Sequence, residues 1–371
     1  MMLLLDHLSK AYGRSTVRAV KDLSLQIEDG EFIALLGSSG CGKTSTLRMI
    51  AGFEAATEGS ITLAGRRIDG LPPAQRRVAM AFEGYALYPP LTVEDNIGFG
   101  LAAKPGFDPR QRVRELADLL EIGPILKRKP AGLSGGQQQR ASLARALARD
   151  AELHLLDEPM GQLEPQLRAI LRGRVKALTK ARGLTSVLVT HDQTEANAMA
   201  DRIAVMEGGV LQQYGTPTEL REQPANLFVA TFFGEPPMNA LPAVVGNSGL
   251  ILDGDDNTHA SLPGVTLPPL GTPVVLGLRP HAITLGQGDW AATVISNRWL
   301  GDEAHVALDM GGRLIVVVAH HRIAARTGSV IPLGFAPRDL HLFDAKTGQA
   351  LMHGVQTLSS QTSFTERKSG P

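Results

Sequence analysis

One cysteine, Cys41, occurs among 371 residues, so no internal disulfide can brace the chain. Aromatic residues are scarce, at 5%, which leaves few flat rings on which nucleobases could stack. Charge of one sign is not in excess: 37 Lys and Arg face 37 Asp and Glu, a formal net charge of zero. Global attraction to nucleic acid or to an acidic membrane surface is therefore missing. Long apolar runs are missing too. Stretches such as 32–36 and 314–319 fall far short of the ~18 uninterrupted apolar residues that a bilayer span needs. The opening Met1-Met2-Leu3-Leu4-Leu5 meets Asp6 and His7 too soon for the core of a signal peptide. Together these absences point to a reducing cytosol, with any membrane role exercised through a separate membrane protein.

The length is ample for two domains. Over residues 1–235, short apolar runs alternate with longer Arg/Ala/Leu-rich stretches, the pattern of helices packed on a mostly parallel sheet. Residues 32–36, 153–156 and 186–189 read as its buried strands. At Gly234 the texture changes, and Glu235-Pro236-Pro237 makes a break. Residues 236–354 then read as a small all-β domain, a barrel or sandwich, with strands at 274–278, 291–296, 304–308, 313–318 and 340–343. Residues 355–371 are rich in Ser, Thr and Gln without an apolar period, and a disordered tail is expected there.

The sequence Gly37-Ser38-Ser39-Gly40-Cys41-Gly42-Lys43-Thr44 satisfies the G-x-x-x-x-G-K-[ST] pattern between a buried strand and a helix-like stretch that continues through Ser45 to residue 51. The glycines let successive backbone N–H groups turn inward as an anion cradle. The helix N-terminus adds positive potential, Lys43 reaches the β- and γ-phosphates, and Thr44 offers its hydroxyl to Mg2+. A plain Gly-rich turn before a helix is the competing reading, and the strand-loop-helix setting weighs against it. Cys41 sits at an unconstrained loop position and reads as a small buried filler. Further on, Leu153-His154-Leu155-Leu156-Asp157-Glu158-Pro159 is a strand ending in acids. Asp157, emerging at its C-terminal edge, can hold the Mg2+ shell. Glu158 is placed to polarise a water for in-line attack on the γ-phosphate.

A phosphate cradle alone does not separate kinases, GTPases and transport ATPases. The segment Leu133-Ser134-Gly135-Gly136-Gln137, shortly before the Asp157 strand, does. Here the chain resembles the ABC ATPase family, whose signature this pentapeptide matches. Ser134 and two glycines at a helix N-terminus form a second anion-binding end. The resemblance implies that this end caps the γ-phosphate of ATP held by a partner subunit. It also implies adenine stacking by Tyr12, and a switch role for His191, which would contact the γ-phosphate and orient the attacking water.

The likeness is closer to one branch, the carbohydrate-importer ATPases similar to the maltose and glycerol-phosphate subunits. Four stretches carry it: the ones opening at Tyr85, at Met238-Asn239-Ala240-Leu241-Pro242, at Gly277-Leu278-Arg279-Pro280-His281 and at Leu340-His341-Leu342-Phe343. The implied architecture is an α/β P-loop NTPase domain of the ABC type followed by a small all-β, OB-like (TOBE-type) regulatory domain. The implied function is the ATP-hydrolysing subunit of a bacterial ABC importer. Such a subunit is peripheral on the cytoplasmic face of the inner membrane and uses ATP and Mg2+. Its partners are transmembrane permease subunits, a second ATP-binding subunit and, indirectly, a periplasmic solute-binding protein. The solute expected is a sugar, a polyol such as glycerol, or a glycerol-phosphate compound. Nucleic-acid binding by an OB-like barrel is disfavoured by the few aromatics and the lack of a basic stripe. A soluble ABC protein of DNA repair or translation would need a coiled-coil insertion or two ATPase modules, and neither is present. A mainly regulatory subunit is the remaining alternative.

Two positions depart from the family. Where it presents a glutamine before Tyr85, this chain has Glu83. The carboxylate keeps an oxygen for Mg2+, loses the N–H donor and adds negative charge. After Glu158, the family's small-residue, Leu, Asp pattern becomes Gly161-Gln162-Leu163-Glu164. The added methylene is enough to displace a short hydrogen bond across a dimer. These departures make pairing with a related but unlike ATPase an alternative to pairing with a second copy.

Overall fold

The computed structural model describes residues 2–13, 17–101, 108–247, 249–252, 259–262 and 266–354. The expected tail at 355–371 lies outside the described residues. The chain divides into two compact units, Met1–Leu220 and Arg221–Pro371. By packing, the division therefore precedes the compositional break at Glu235.

In chain order the first unit contains β1 (Leu3–Ala11), β2 (Arg18–Ile27), β3 (Phe32–Gly37), α1 (Lys43–Ala51), β4 (Glu58–Leu63), β5 (Arg66–Arg67), β6 (Val78–Ala81), α2 (Val93–Gly98), α3 (Pro109–Leu119) and α4 (Gly135–Ala148). It continues with β7 (Leu153–Asp157), α5 (Pro165–Ala181), β8 (Ser186–Thr190), α6 (Gln193–Met199), β9 (Arg202–Glu207) and β10 (Val210–Gly215). The central sheet has the order β10-β9-β3-β8-β7-β6. All its neighbouring pairs are parallel except the β9–β10 hairpin. Every residue of β3, β7 and β8 is buried, as continuous apolar runs require when a parallel sheet is covered on both faces.

A second sheet, antiparallel with the order β2-β1-β4-β5, was not anticipated from the sequence. Strands β1 and β2 alternate only loosely between buried and exposed positions, and their mutual register shifts at several points. A clean period of two is therefore blurred. Leu3, Leu5, Leu8, Leu23 and Ile61 from this sheet share one core with Ile33, Leu35, Leu155 and Val189 of the central sheet and with Leu47 and Ile50 of α1. That core presses the phosphate loop between two layers. A Cβ on Gly42 (φ 102°) would lie 2.3 Å from the Ala19 carbonyl of β2, and one on Gly37 would lie 2.3 Å from the Met206 carbonyl of β9. Only glycine fits either place.

The second unit holds a short helix, Leu227–Phe232, and then, among the described residues, ten strands arranged in two antiparallel sheets, so the all-β reading of this region holds. Its strands are β11 (Asn239–Val245), β12 (Gly249–Leu252), β13 (His259–Ser261), β14 (Pro273–Leu278), β15 (Ile283–Trp299), β16 (Ala304–Met310), β17 (Arg313–Ala319), β18 (Val330–Phe335), β19 (Leu340–Asp344) and β20 (Ala350–His353). The orders are β13-β12-β11-β14-β19-β20 and β17-β16-β15-β18. Leu241, Leu276 and Leu342 from one sheet pack with Val306, Ile315 and Leu333 from the other. Asn239 ties the sheets together: its side-chain amide donates to the carbonyls of Leu278 (3.1 Å) and Val316 (2.9 Å), and its oxygen accepts from Val316 N–H at 2.8 Å.

Candidate active site

The loop from Gly37 to Gly42 leaves β3 and enters α1, whose N-cap is Gly42 in the left-handed conformation. Lys43 is buried, with Nζ donating to the carbonyls of Gly37 (2.8 Å) and Ser38 (2.9 Å). Cys41 is a free, buried thiol whose Sγ lies 3.6 Å from that ammonium. It packs within the loop, as a filler does. Ser38, Ser39 and Gly40 are exposed at the tip. Tyr12, beyond the end of β1, keeps 42% of its surface exposed. Its hydroxyl lies 3.0 Å from Ser45 Oγ, and the Lys10 ammonium sits 4.8 Å from its ring centroid. The aromatic ring is thus held over the start of α1.

Asp157 closes β7 opposite Val189 of β8, and Thr44 Oγ1 donates to its Oδ1 at 3.4 Å. Burial, reinforced first by the negative charge of Glu83 and then by that of Glu158, pushes the Asp157 carboxyl up to about 6. Thr44 and Asp157 in contact, with Glu83 and Glu158 near enough to act on Asp157 through their charge, offer oxygen donors and surplus negative charge. Such a set suits a hard divalent cation, and Mg2+ fits it. Glu83 is exposed in the loop that follows β6.

Glu158 takes a left-handed backbone (φ 45°) with its N–H donating to the Val189 carbonyl at 2.9 Å. This is an uncommon conformation for a residue with a Cβ. It turns the chain at the sheet edge, and Glu158 Oε1 comes 3.1 Å from His191 Nδ1 at the end of β8. The sequence-expected acid and histidine are therefore in direct contact.

Residues that sequence reasoning did not single out hold this pair in place. Gln139 of α4 is buried; its amide donates to the Glu158 carbonyl at 2.8 Å, and its oxygen accepts from Gln162 N–H at 2.9 Å. Arg168 of α5 donates to the carbonyls of Gly161 (3.3 Å) and Leu163 (3.2 Å), and it pairs with Asp192 at 3.1 Å. Asp192 in turn caps α6 by accepting from Glu195 N–H at 2.9 Å. One guanidinium thus fastens the loop after Glu158 to the loop carrying His191. The prior signal was Gln139, a long polar side chain at a helix position where the buried neighbours are mostly apolar. Glu164 is exposed and stands at the N-cap of α5 without a side-chain cap bond.

Ser134 caps α4 through a capping box: its Oγ accepts from Gln137 N–H at 3.4 Å, while Gln137 Oε1 accepts from Ser134 N–H at 3.0 Å. Gly135 and Gly136 follow at close quarters. A Cβ on Gly135 would lie 3.2 Å from the Tyr85 hydroxyl, and one on Gly136 would lie 3.2 Å from the Gln162 carbonyl. The α4 end therefore adjoins both the 83–91 loop and the loop after Glu158. Asn96 of α2, fully buried, anchors the 83–91 loop by donating to the carbonyls of Tyr88, Leu91 and Thr92 and accepting from Tyr88 N–H at 2.7 Å. Arg145 of α4 adds bonds to the carbonyls of Ala86 (2.8 Å) and Tyr85 (3.3 Å).

A phosphate loop, an acid at the end of the adjacent strand, a Glu–His pair and a capped Ser-Gly-Gly helix end define a nucleotide-hydrolysing P-loop protein. The comparisons narrow that class. The family described as "ABC transporter" matches residues 20–161, and that described as "TOBE domain" matches residues 276–343. The xylose/arabinose import ATP-binding protein XacK of Haloferax volcanii is 42% identical, over 94% of this chain and 95% of its own length. The trehalose/maltose import ATP-binding protein MalK of Thermococcus litoralis is also 42% identical, over 92% and 97%. The sn-glycerol-3-phosphate import ATP-binding protein UgpC of Escherichia coli is 40% identical, over 94% and 99%. Among solved structures, a dimeric ATP-binding cassette bound to ADP and Pi superposes with a TM-score of 0.54 at 30% identity, covering 58% of this chain and 98% of that one. The chain belongs to the ABC transporter ATP-binding proteins that carry a C-terminal TOBE domain, and it is an ATPase.

Proposed function

We propose that this ATPase powers the uptake of a sugar, a polyol such as glycerol, or a glycerol-phosphate compound, as one of two ATP-binding subunits docked on permease subunits at the cytoplasmic face of the inner membrane. The contact between Glu158 and His191, close to the Thr44–Asp157 pair, supports the reading, because an acid paired with a histidine beside a phosphate loop suits a base and its orienting partner acting at a γ-phosphate. Lys43 exchanges its bonds to the Gly37 and Ser38 carbonyls for the β- and γ-phosphates. Loop N–H groups and the α1 N-terminus hold the phosphate oxygens. Thr44, Asp157 and Glu83 would hold Mg2+, which supplies charge neutralisation between the phosphates. Glu158 takes the proton of the attacking water, and His191 fixes that water's orientation. Tyr12 stacks on the adenine. Ser134 to Gln137 cap the γ-phosphate held by the other subunit, as expected of an anion-binding helix end that has no such ligand in its own chain.

Coupling to the permease is supported by a groove of about 390 Å3 lined by Phe53, Met80, Phe82, Tyr88, Phe99 and Arg145. Phe53 and Phe99 are each about half exposed (53% and 52%), an unusual outlay of apolar surface. The groove adjoins the 83–91 loop, so an apolar helical segment of a permease seated there would bear on Glu83 and, through Tyr85, on Gly135. The relatives' names, which cover pentoses, disaccharides and glycerol phosphate, favour a polyhydroxylated solute. Replacing the base tests the reading directly. Glu158→Gln should keep ATP affinity and lower turnover by roughly a hundredfold or more, as loss of a general base does. Unchanged turnover would reject the assignment. The solute is tested by purifying the chain with its permease and measuring which candidate drives transport-linked ATP hydrolysis.

A further inference from the structure

Three side chains far apart in sequence meet at one end of the second unit. His281 lies in the 3-10 turn Pro280–Ala282 between β14 and β15. Glu303 immediately precedes β16, and His320 immediately follows β17. Ala304 pairs with Ala319 in the β16–β17 ladder, so the hairpin's open end sets Glu303 beside His320. Glu303 Oε1 is 3.4 Å from His320 Nδ1, and the rings of His281 and His320 stack with centroids 5.5 Å apart. Ligand-type atoms of His281, Glu303 and His320 all lie within 4.8 Å of one another. A fourth group, His305 on β16, brings Nε2 to 3.4 Å from the other Glu303 oxygen.

We propose that His281, Glu303 and His320 form a binding site for a borderline divalent transition metal of the Zn2+ class, with His305 orienting the carboxylate. The donor set decides the class. Two imidazoles and one carboxylate suit Zn2+, Co2+ or Ni2+, whereas Mg2+ and Ca2+ require more oxygens. Ligands around Zn2+ at tetrahedral geometry stand ~3.4 Å apart, so the present spacing closes on an ion by side-chain rotation of about an ångström. His320 is 74% exposed and free to make that movement. Glu303 and His305 are about 29% and 30% exposed and hold their places. Water or an anion fills the remaining position. A bound ion would link the 280–282 turn to the β16–β17 hairpin, adding a coordinate tie where the structure has a turn packed on a hairpin end. None of the four residues takes part in ATP chemistry, so occupancy would register first in this unit's stability.

The test uses the untagged full-length chain, stripped with chelator and kept free of nucleotide, so that the phosphate site does not compete for cation. Co2+ is titrated and followed by its visible d–d absorption, and Zn2+ is then added as competitor. The expected result is about one equivalent of Co2+ bound with the intense bands of a four-coordinate site and displaced by Zn2+. Affinity should fall by more than about tenfold in His281→Gln, Glu303→Gln and His320→Gln, and by about tenfold in His305→Gln. His321→Gln, the adjacent exposed histidine, should bind as the unaltered protein does. Zn2+ should also raise the melting temperature of the unaltered chain and of His321→Gln but not that of His320→Gln, whose metal-free melting temperature serves as the folding control. Binding no tighter than millimolar, equal binding by all variants, or an equal loss in His321→Gln would overturn the proposal.

Discussion

Asp157 shows how a single residue's environment prepares it for a cation. A buried carboxyl facing two other carboxylates resists ionisation, and here it titrates near pH 6 in place of the usual 3.8. Because its folded value is the higher one, the folded chain binds more protons than the unfolded chain between about pH 4 and 6. Stability of the nucleotide-free protein therefore falls as pH rises through that window. Asp157→Asn should remove this decline in melting temperature measured against pH; a decline that persists would reject the assignment. Glu83→Gln should shift the same decline to lower pH by deleting the larger of the two opposing charges. Should Glu83 be a metal ligand, the variant will need more Mg2+ for half-maximal turnover, a dependence read directly from rates at varied Mg2+.

At the scale of elements, the catalytic pair rests on bonds between neighbouring helices and loops. Arg168 joins the Gly161 and Leu163 carbonyls to Asp192 across the gap between the loops carrying Glu158 and His191. Arg168→Ala should lower kcat by roughly tenfold through misplacement of groups it does not itself replace, with ATP affinity unchanged. Loss of affinity without loss of kcat would count against this positioning role. Asn96 is a second such joint. Removing a fully buried amide with four backbone partners leaves several polar groups unpaired, and Asn96→Ala should cost about 3 kcal/mol in denaturant unfolding. The loop it anchors borders the aromatic groove, so Phe99→Asp should spare the ATPase activity of the isolated subunit and abolish its stimulation by the permease.

For the whole molecule, the central question is whether one chain completes another's site. Lys43→Ala disables the phosphate loop and spares the Ser134 end; Ser134→Arg does the reverse. Each variant alone should be inactive. Mixing them should restore part of the activity, because one of the two sites in the mixed pair has an intact loop and an intact cap. Failure to restore activity with both variants folded would show that two copies of this chain do not complete each other, favouring the unlike partner that Glu83 and Glu164 suggest.

Contiguous motifs made the ATPase legible from the sequence: Gly37 to Thr44, Ser134 to Gln137 and the Asp157-Glu158 pair each act through local backbone geometry, which a short stretch of residues determines alone. The buried strands were legible because a parallel sheet covered on both faces favours short, mostly apolar runs. What only tertiary structure decided depends on distance along the chain. The antiparallel sheet, the squeeze on Gly37 by Met206, and the ties from Gln139 to Glu158 and from Arg168 to Asp192 join residues whose separation carries no pattern. The cluster of His281, Glu303 and His320 is the extreme case, since strand register sets Glu303 beside His320 and the packing of the 280–282 turn brings in His281. Local chemistry is written in consecutive residues, and the contacts that aim it are set by how the strands and helices pack.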